Sequence, residues 1–316
     1  MGLDLVSMGE IIVDFIPIND MTYQACFGGA PMNCAIACSR LGLKVGVITS
    51  IGEDAFGRFL LETLKAHGVD TRRVRVAKGR RTTLAFVVKL PEGEREFFFY
   101  RRPWSVTADT ELALGGEDRE YILSSKILHI SGFALSQEPA RSEIFKALDW
   151  AMEGDVKVSL DPTFRPDVWR SIDEARKVYA KVLGKVNLLL ATLRECEVLF
   201  KVKKVKEILN EVANVGIELF GLKMGAKGAL LYDGEKAVFM EPYQVEVKDT
   251  VGAGDAWNAG IIYGYLRKLD LEDMLRLANA VAAIKCMHVG AITGLPTIEE
   301  VERFIKSRAR PSTRVL

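Results

Sequence analysis

The segment Asp249-Thr-Val-Gly-Ala-Gly-Asp255 carries the sharpest chemical signal in the chain, because it follows the β-like stretch Tyr243 to Val247 and opens an Ala- and Gly-rich helical segment. The backbone N–H groups of Gly252, Ala253 and Gly254, with the positive end of a helix dipole behind them, can form an anion hole for a phosphoryl group in transfer. A carboxylate at Asp255, in the first helical turn, then stands beside that hole and can accept a proton from an attacking hydroxyl. Spacing alone leaves a second reading open, in which Asp255 caps the helix and the glycines only turn the chain. A dinucleotide fingerprint does not fit, since it opens the first βαβ unit with a further glycine and an acid on the next strand.

A second glycine cluster, Phe27-Gly28-Gly29-Ala30-Pro31-Met32-Asn33, leads into a helix with Pro31 in its first turn. Gly28 and Gly29 let backbone approach a ligand closely, and Asn33 offers both donors and acceptors to hydroxyls. A tight turn with a satisfied Asn is the alternative. Asp14 interrupts the apolar run Ile11-Ile-Val-Asp-Phe-Ile, where an unpartnered carboxylate is costly. It either faces outward from its strand or meets a hydroxyl.

Positioning these groups requires a framework. From Lys44 onward, apolar runs bounded by Gly, Asp or Pro alternate with segments of 3.6-residue periodicity, the pattern of βαβ units and a parallel sheet. Core strands are expected over Lys44 to Ser50, Lys126 to Ser131, Val156 to Leu160, Val186 to Ala191 and Gly216 to Met224. Helices are expected over Pro31 to Leu41, Ala55 to His67, Glu138 to Met152, Ile172 to Leu183, Val205 to Asn214, Asp255 to Leu266 and Leu271 to His288. Gly42 and Gly68 sit where helix-ending glycines belong. Ile11 to Phe27 and Thr82 to Arg101 lack intervening helices and read as antiparallel hairpins, the second turning at Pro91-Glu-Gly-Glu94. The expectation is one α/β domain over residues 1–316, a doubly wound, mostly parallel sheet with helices on both faces. A small β-sheet lid is built from 11–27 and 82–105.

Composition excludes several other classes. The chain has 316 residues, 49% hydrophobic and 27% charged, with a net charge of +1. Its Lys and Arg alternate with acids, so nucleic acid is not an expected partner. The first 18 residues hold Asp4, Glu10 and Asp14 and no basic leader, and no window suits a membrane span, so a cytoplasmic protein is expected. The five cysteines are not clustered as metal ligands and read as buried thiols.

The two glycine segments, in this order and about 220 residues apart, resemble the paired signatures of the ribokinase-like (PfkB) carbohydrate kinases over essentially the whole chain. The resemblance implies an ATP-dependent sugar kinase with Asp255 as base, Gly252 to Gly254 as anion hole, and Asp14, Gly28, Gly29 and Asn33 at the sugar. Thr192-Leu-Arg-Glu195 takes the place of the family's Asn-x-x-Glu segment, with Thr for Asn. Glu195 is thereby implied to reach Mg²⁺ through water. Thr192, Lys223, Gly225, Gly228 and Asn279 are implied at ATP, together with Gly252 and Gly254. K⁺ near Asp249 is a further implication of the resemblance, and the open strand edges of the lid, which attract partners, suggest a homodimer through it.

Gly9-Glu-Ile-Ile-Val-Asp-Phe-Ile-Pro17 and Arg81-Thr-Thr-Leu-Ala-Phe resemble fructokinases most, which points to fructose. Leu160-Asp-Pro-Thr-Phe-Arg165 resembles a segment shared with 2-keto-3-deoxygluconate kinases, so Arg165, Arg101 and Arg102 are candidate substrate contacts. An Arg fork there would grip a carboxylate, whereas a neutral ketose needs only hydrogen bonds. Fructose is therefore weighed against 2-keto-3-deoxygluconate, and more distantly against ribose, nucleosides and inositol derivatives. A non-catalytic sugar or nucleotide sensor on the same fold is the alternative of another class.

Overall fold

Apolar runs and amphipathic segments assemble into a ten-stranded sheet flanked by helices and a separate four-stranded sheet. The computed structural model describes residues 2–19, 21–89, 95–101 and 106–316. In chain order the strands are β1 (Leu3–Met8), β2 (Ile12–Asn19), β3 (Thr22–Gly28), β4 (Val45–Gly52), β5 (Asp70–Ala77), β6 (Thr83–Lys89) and β7 (Arg95–Phe99). They continue with β8 (Ser125–Ser131), β9 (Lys157–Asp161), β10 (Leu188–Thr192), β11 (Leu219–Lys223), β12 (Ala229–Tyr232), β13 (Ala237–Met240) and β14 (Thr313–Val315). The helices are α1 (Ala30–Arg40), α2 (Ala55–Ala66), α3 (Gly116–Leu123), α4 (Ala140–Glu153), α5 (Ile172–Leu183), α6 (Leu193–Phe200), α7 (Val205–Val215), α8 (Ala253–Leu266), α9 (Leu271–Cys286) and α10 (Ile298–Ser307).

The large sheet runs β14-β13-β12-β11-β10-β9-β8-β1-β4-β5. Its stretch from β11 to β5 is parallel, and β12 to β14 add an antiparallel edge. Every residue of β4 is buried, as a parallel strand covered on both faces must be. Among the described residues no helix is long and apolar enough to cross a membrane.

The expected doubly wound sheet is present, and helix ends follow local chemistry. Asp54 accepts from Gly57 N–H to start α2, and Gly42 and Gly68 carry positive φ just past α1 and α2. Sequence reading did not identify β1, β5, α3, α6, α10 or the β12–β14 edge. β5 mixes charged and apolar residues at an exposed margin, and α3, α6 and β12–β14 are too short for a clear period.

β2 pairs antiparallel with β3, and β6 with β7, as the hairpin patterns require, but the two hairpins join through a parallel β2–β6 pair. The turn at 91–94 lies outside the described residues. Side chains alternate across this small sheet. Ile12, Asp14, Phe97 and Phe99 line a cavity on one face. Phe15 stacks on Phe86 at 4.7 Å on the other, and Tyr100 meets Phe86 at 5.5 Å. The C-terminal ends of β9, β10 and β11 carry Asp161, Thr192 and Lys223 to the same cavity, at the sheet edge where ligands of open α/β folds bind.

Candidate active site

Between the two sheets lies a cavity of about 800 Å³, large enough for a nucleotide and a small sugar. Its chemistry divides into three zones.

The first zone is the start of α8. Gly252, the N-cap, holds φ +77°, and a Cβ there would approach the Ala291 oxygen to 2.7 Å, so only glycine gives this turn. The N–H of Ala253 donates to the Thr250 carbonyl at 3.1 Å, a bond that an arriving phosphoryl oxygen would have to share. Gly254 has no such bond and faces Lys223, whose Nζ would be 3.7 Å from an added Cβ. Asp255 lies one residue further along, and its remaining exposure opens on the cavity. Burial, followed by the nearby charge of Asp161, pushes its carboxyl up to about 6, against the hydrogen bond from Asn33 Nδ2 at 2.8 Å.

The second zone anchors Lys223. Its Nζ donates to Asp161 Oδ2 at 2.7 Å and to Asn258 Oδ1 at 3.2 Å, and Asn258 Nδ2 donates to the same Asp161 oxygen at 2.5 Å. Burial works against both charges. Their attraction nevertheless holds Asp161 below the usual carboxylate range and Lys223 above the usual amine range. Thr163, at φ +39°, closes the turn through two hydrogen bonds to Asp161 Oδ1. Asp161 and Asn258 were not singled out from sequence. Asn258 follows Asp255 by three residues on one helix face, and Asp161 ends an apolar strand, so both signals were present.

The third zone is acidic. Asp14 is buried with Oδ1 unpartnered, and burial, then the charge of Asp255, pushes its carboxyl up to about 8. It does not face outward. Gly28 makes room for it, since a Cβ at Gly28 would fall 2.4 Å from Asp14 Oδ2. Gly29 has φ +105° and no space for a side chain against Glu10 O. Glu10, which sequence reading left without a role, also lines the cavity. Burial pushes it up to about 8, Ser131 Oγ donates to its Oε1 at 3.0 Å, and its Oε2 is unpartnered. Asn33 Oδ1 is a third buried acceptor without a donor. Arg165 lines the same zone, forms no ion pair among the described residues, and draws the pKa of Asp14 and Asp255 down.

Other expected contacts find different partners. Arg101 does not line the cavity. It is fully buried, with Nη1 donating to Ser136 Oγ at 2.9 Å, Nε 3.1 Å from Asp109 Oδ2, and its guanidinium 4.5 Å from the Phe133 ring centroid. Arg102 lies outside the described residues. Thr192 and Glu195 line the cavity but spend their polar atoms on each other in a capping box, and Phe164 N–H also donates to Glu195 Oε1. Asn279 accepts from Trp257 Nε1 at 2.9 Å and donates to the Glu241 carbonyl at 3.1 Å. Gly225 and Gly228 both take positive φ at the cavity edge, and a Cβ on Gly228 would strike Met240 O.

Comparison with known proteins fits this geometry. Residues 3–298 match the pfkB family carbohydrate kinases. A probable fructokinase-4 of Arabidopsis thaliana is 34% identical over 96% of this chain and 96% of its own. A 5-dehydro-2-deoxygluconokinase of Clostridium botulinum is 31% identical over 96% of this chain and 93% of its own. The crystal structure of Vibrio cholerae fructokinase in its fructose-, ADP- and calcium-bound form superposes with a TM-score of 0.86, at 29% identity, over 96% of this chain and 99% of that one.

Proposed function

This chain belongs to the pfkB family of carbohydrate kinases, and we propose that within it the protein transfers the γ-phosphoryl group of ATP to fructose. The observation that carries the choice of sugar is the acidic zone: Glu10 Oε2, Asp14 Oδ1 and Asn33 Oδ1 are buried oxygens without a hydrogen-bond partner among the described residues. Buried acceptors are costly when unmatched, and the hydroxyls of a neutral sugar would match all three. A carboxylate would instead find no positive charge among these three groups. The second reading, a 2-keto-3-deoxy or 5-dehydro-2-deoxy sugar acid as acceptor, draws support from Arg165, which lines the cavity and forms no ion pair among the described residues, and from the 31% relative.

In the proposed reaction Asp14 and Asn33 orient the sugar. Asn33 also fixes the Asp255 carboxylate through its Nδ2. Asp255 takes the proton of the attacking hydroxyl as the new sugar O–P bond forms and the bond from γ-phosphorus to the ADP oxygen breaks. The Gly252 and Gly254 amides and Lys223 would meet the charge on the phosphoryl oxygens. Gly225 and Gly228 would leave the nucleotide room at the cavity edge, with Thr192 and Asn279 shaping its walls through the bonds described above.

Among the described residues no group of three His, Cys, Asp or Glu side chains could hold a metal. Glu195, at the cavity wall with lone pairs beyond those its capping bonds use, fits a magnesium ion that would be carried on the nucleotide with its own waters. When bound, Mg²⁺ neutralises charge that develops on the phosphate oxygens.

The small sheet is proposed as the lid, which closes the sugar off from water. Its outer face, with Phe98 42% and Tyr100 61% exposed, is proposed to pair two copies. Light scattering across a concentration series checks this: a single mass at one chain throughout would contradict it. ATP as donor and five free thiols support a cytoplasmic setting. The direct test of function is ADP release from ATP and Mg²⁺ with fructose as acceptor. Turnover supports the reading, and saturable fructose binding without ADP release would replace it with a sensor.

A further inference from the structure

Lys285, near the end of α9, is fully buried. An ammonium removed from water is costly unless strong acceptors compensate. Its Nζ donates to the main-chain oxygen of Asp249 at 2.8 Å. Asp249 begins the loop that ends in Gly252 and the first turn of α8.

The same loop is tied to the segment that follows Lys285 and braced by a bond of its own. The N–H groups of Lys248 and Asp249 both donate to the Cys286 carbonyl, at 2.8 and 3.1 Å. Asp249 Oδ1 accepts from Val251 N–H at 2.9 Å and Oδ2 from Gly290 N–H at 2.8 Å. Gly252 packs against Ala291 without room for a side chain. Lys285 thus places an amine, fixed by covalent tether, behind the loop that would supply the anion-hole amides.

We propose that the Lys285 ammonium is the resident cation of this loop, standing at Asp249 where an exchangeable K⁺ would otherwise bind, and that it acts as a positioning residue for phosphoryl transfer. The inference rests on the kinase reading. A tethered cation does not dissociate, so the loop is organised before substrate arrives, and preorganised donors stabilise transferred charge best. The expectation of K⁺ near Asp249 is replaced by one of indifference to it.

The test compares native protein with Lys285→Ala, in KCl and in tetramethylammonium chloride at equal ionic strength, reading both kcat and Tm. Native kcat and Tm are expected to be the same in both salts. The variant is expected to lose about 10²-fold in kcat, the scale of a lost transition-state donor, with KM for fructose within about threefold. Propylammonium chloride, which refills the space the side chain leaves, should recover part of that rate and raise the variant's Tm but not the native one, by binding linkage.

A native Tm and rate that climb with K⁺ would overturn the proposal. So would a folded variant with near-native kcat, or one that ignores propylammonium. If the variant does not fold, the native salt comparison decides alone. If native protein turns over no acceptor, the kinase reading falls, while the thermal measurements still decide the role of Lys285.

Discussion

The two ends of the cavity differ in how their polar atoms are satisfied. At the phosphoryl end, Asp161, Lys223, Asn258 and Asp249 are bound into one another or into backbone, at 2.5 to 3.2 Å. At the end proposed to hold the sugar, Glu10, Asp14 and Asn33 each keep a buried oxygen without a partner among the described residues. The first end is finished before any substrate arrives and can act on charge without reorganising. The second is left incomplete, and its missing donors describe the ligand it takes. In the proposed reading the catalytic groups are held by the chain's own hydrogen bonds, and the recognition groups wait for partners from outside it.

Breaking the finished end should cost most. Asp255→Asn removes the proton acceptor but keeps the Asn33 contact geometry. A fall in kcat of about 10³- to 10⁴-fold is expected, with fructose affinity by calorimetry changed by less than about threefold. Lys223→Met should lower kcat by about 10²- to 10³-fold. It also leaves Asp161 buried without its cation, so the midpoint of thermal unfolding should drop as well. Near-native turnover in either variant would mean that this end is scaffolding.

Changes at the sugar end should show in KM. Asp14→Asn is expected to raise KM for fructose by about 10²-fold with a smaller change in kcat, because one carboxyl oxygen that a hydroxyl can match is then replaced by an NH₂ that only donates. An effect on kcat alone would place Asp14 with the catalytic groups.

The incomplete end also predicts a pH dependence of stability. Glu10 and Asp14 hold protons up to about 8 when folded, against 4.5 and 3.8 as unperturbed side chains. Between those limits the folded chain binds more protons than the unfolded one, so stability falls as pH rises through that window. Thermal unfolding midpoints should decline from about pH 5 to about pH 8, and Glu10→Gln with Asp14→Asn should flatten the slope. A midpoint that rises over that range in the native chain would contradict the assignment.

The smallest expected effect is at Thr163, a β-branched residue at φ +39°. Thr163→Asn should relieve strain and raise stability by about 1 kcal/mol in urea unfolding, with kcat unchanged. A loss of stability would show that its two bonds to Asp161 outweigh the strain.

The same contrast governs what could be read from sequence. The glycine turns at Gly28-Gly29 and Gly252, and the acid in the first turn of α8, are local features, and backbone sterics made them legible. So were the parallel strands β4 and β8 to β11, whose burial on both faces gives continuous apolar runs, unlike the exposed margin at β5. Arg101 was misjudged because its partners, Asp109, Phe133 and Ser136, come from other elements. The capping box of Thr192 and Glu195 is local, its members three residues apart, and so is legible in the sequence as a helix start. Glu10 was passed over because an acid after Gly9 looks like a strand end until the fold buries it.

The most direct test of the central claim is the ratio of kcat/KM for fructose to that for 2-keto-3-deoxygluconate, measured by ADP release in one preparation with ATP and Mg²⁺. An acceptor-lined sugar end predicts a ratio of about 10² or more in favour of fructose. A ratio reversed in favour of the acid would show that Arg165, and not the buried acceptors, sets the choice of sugar.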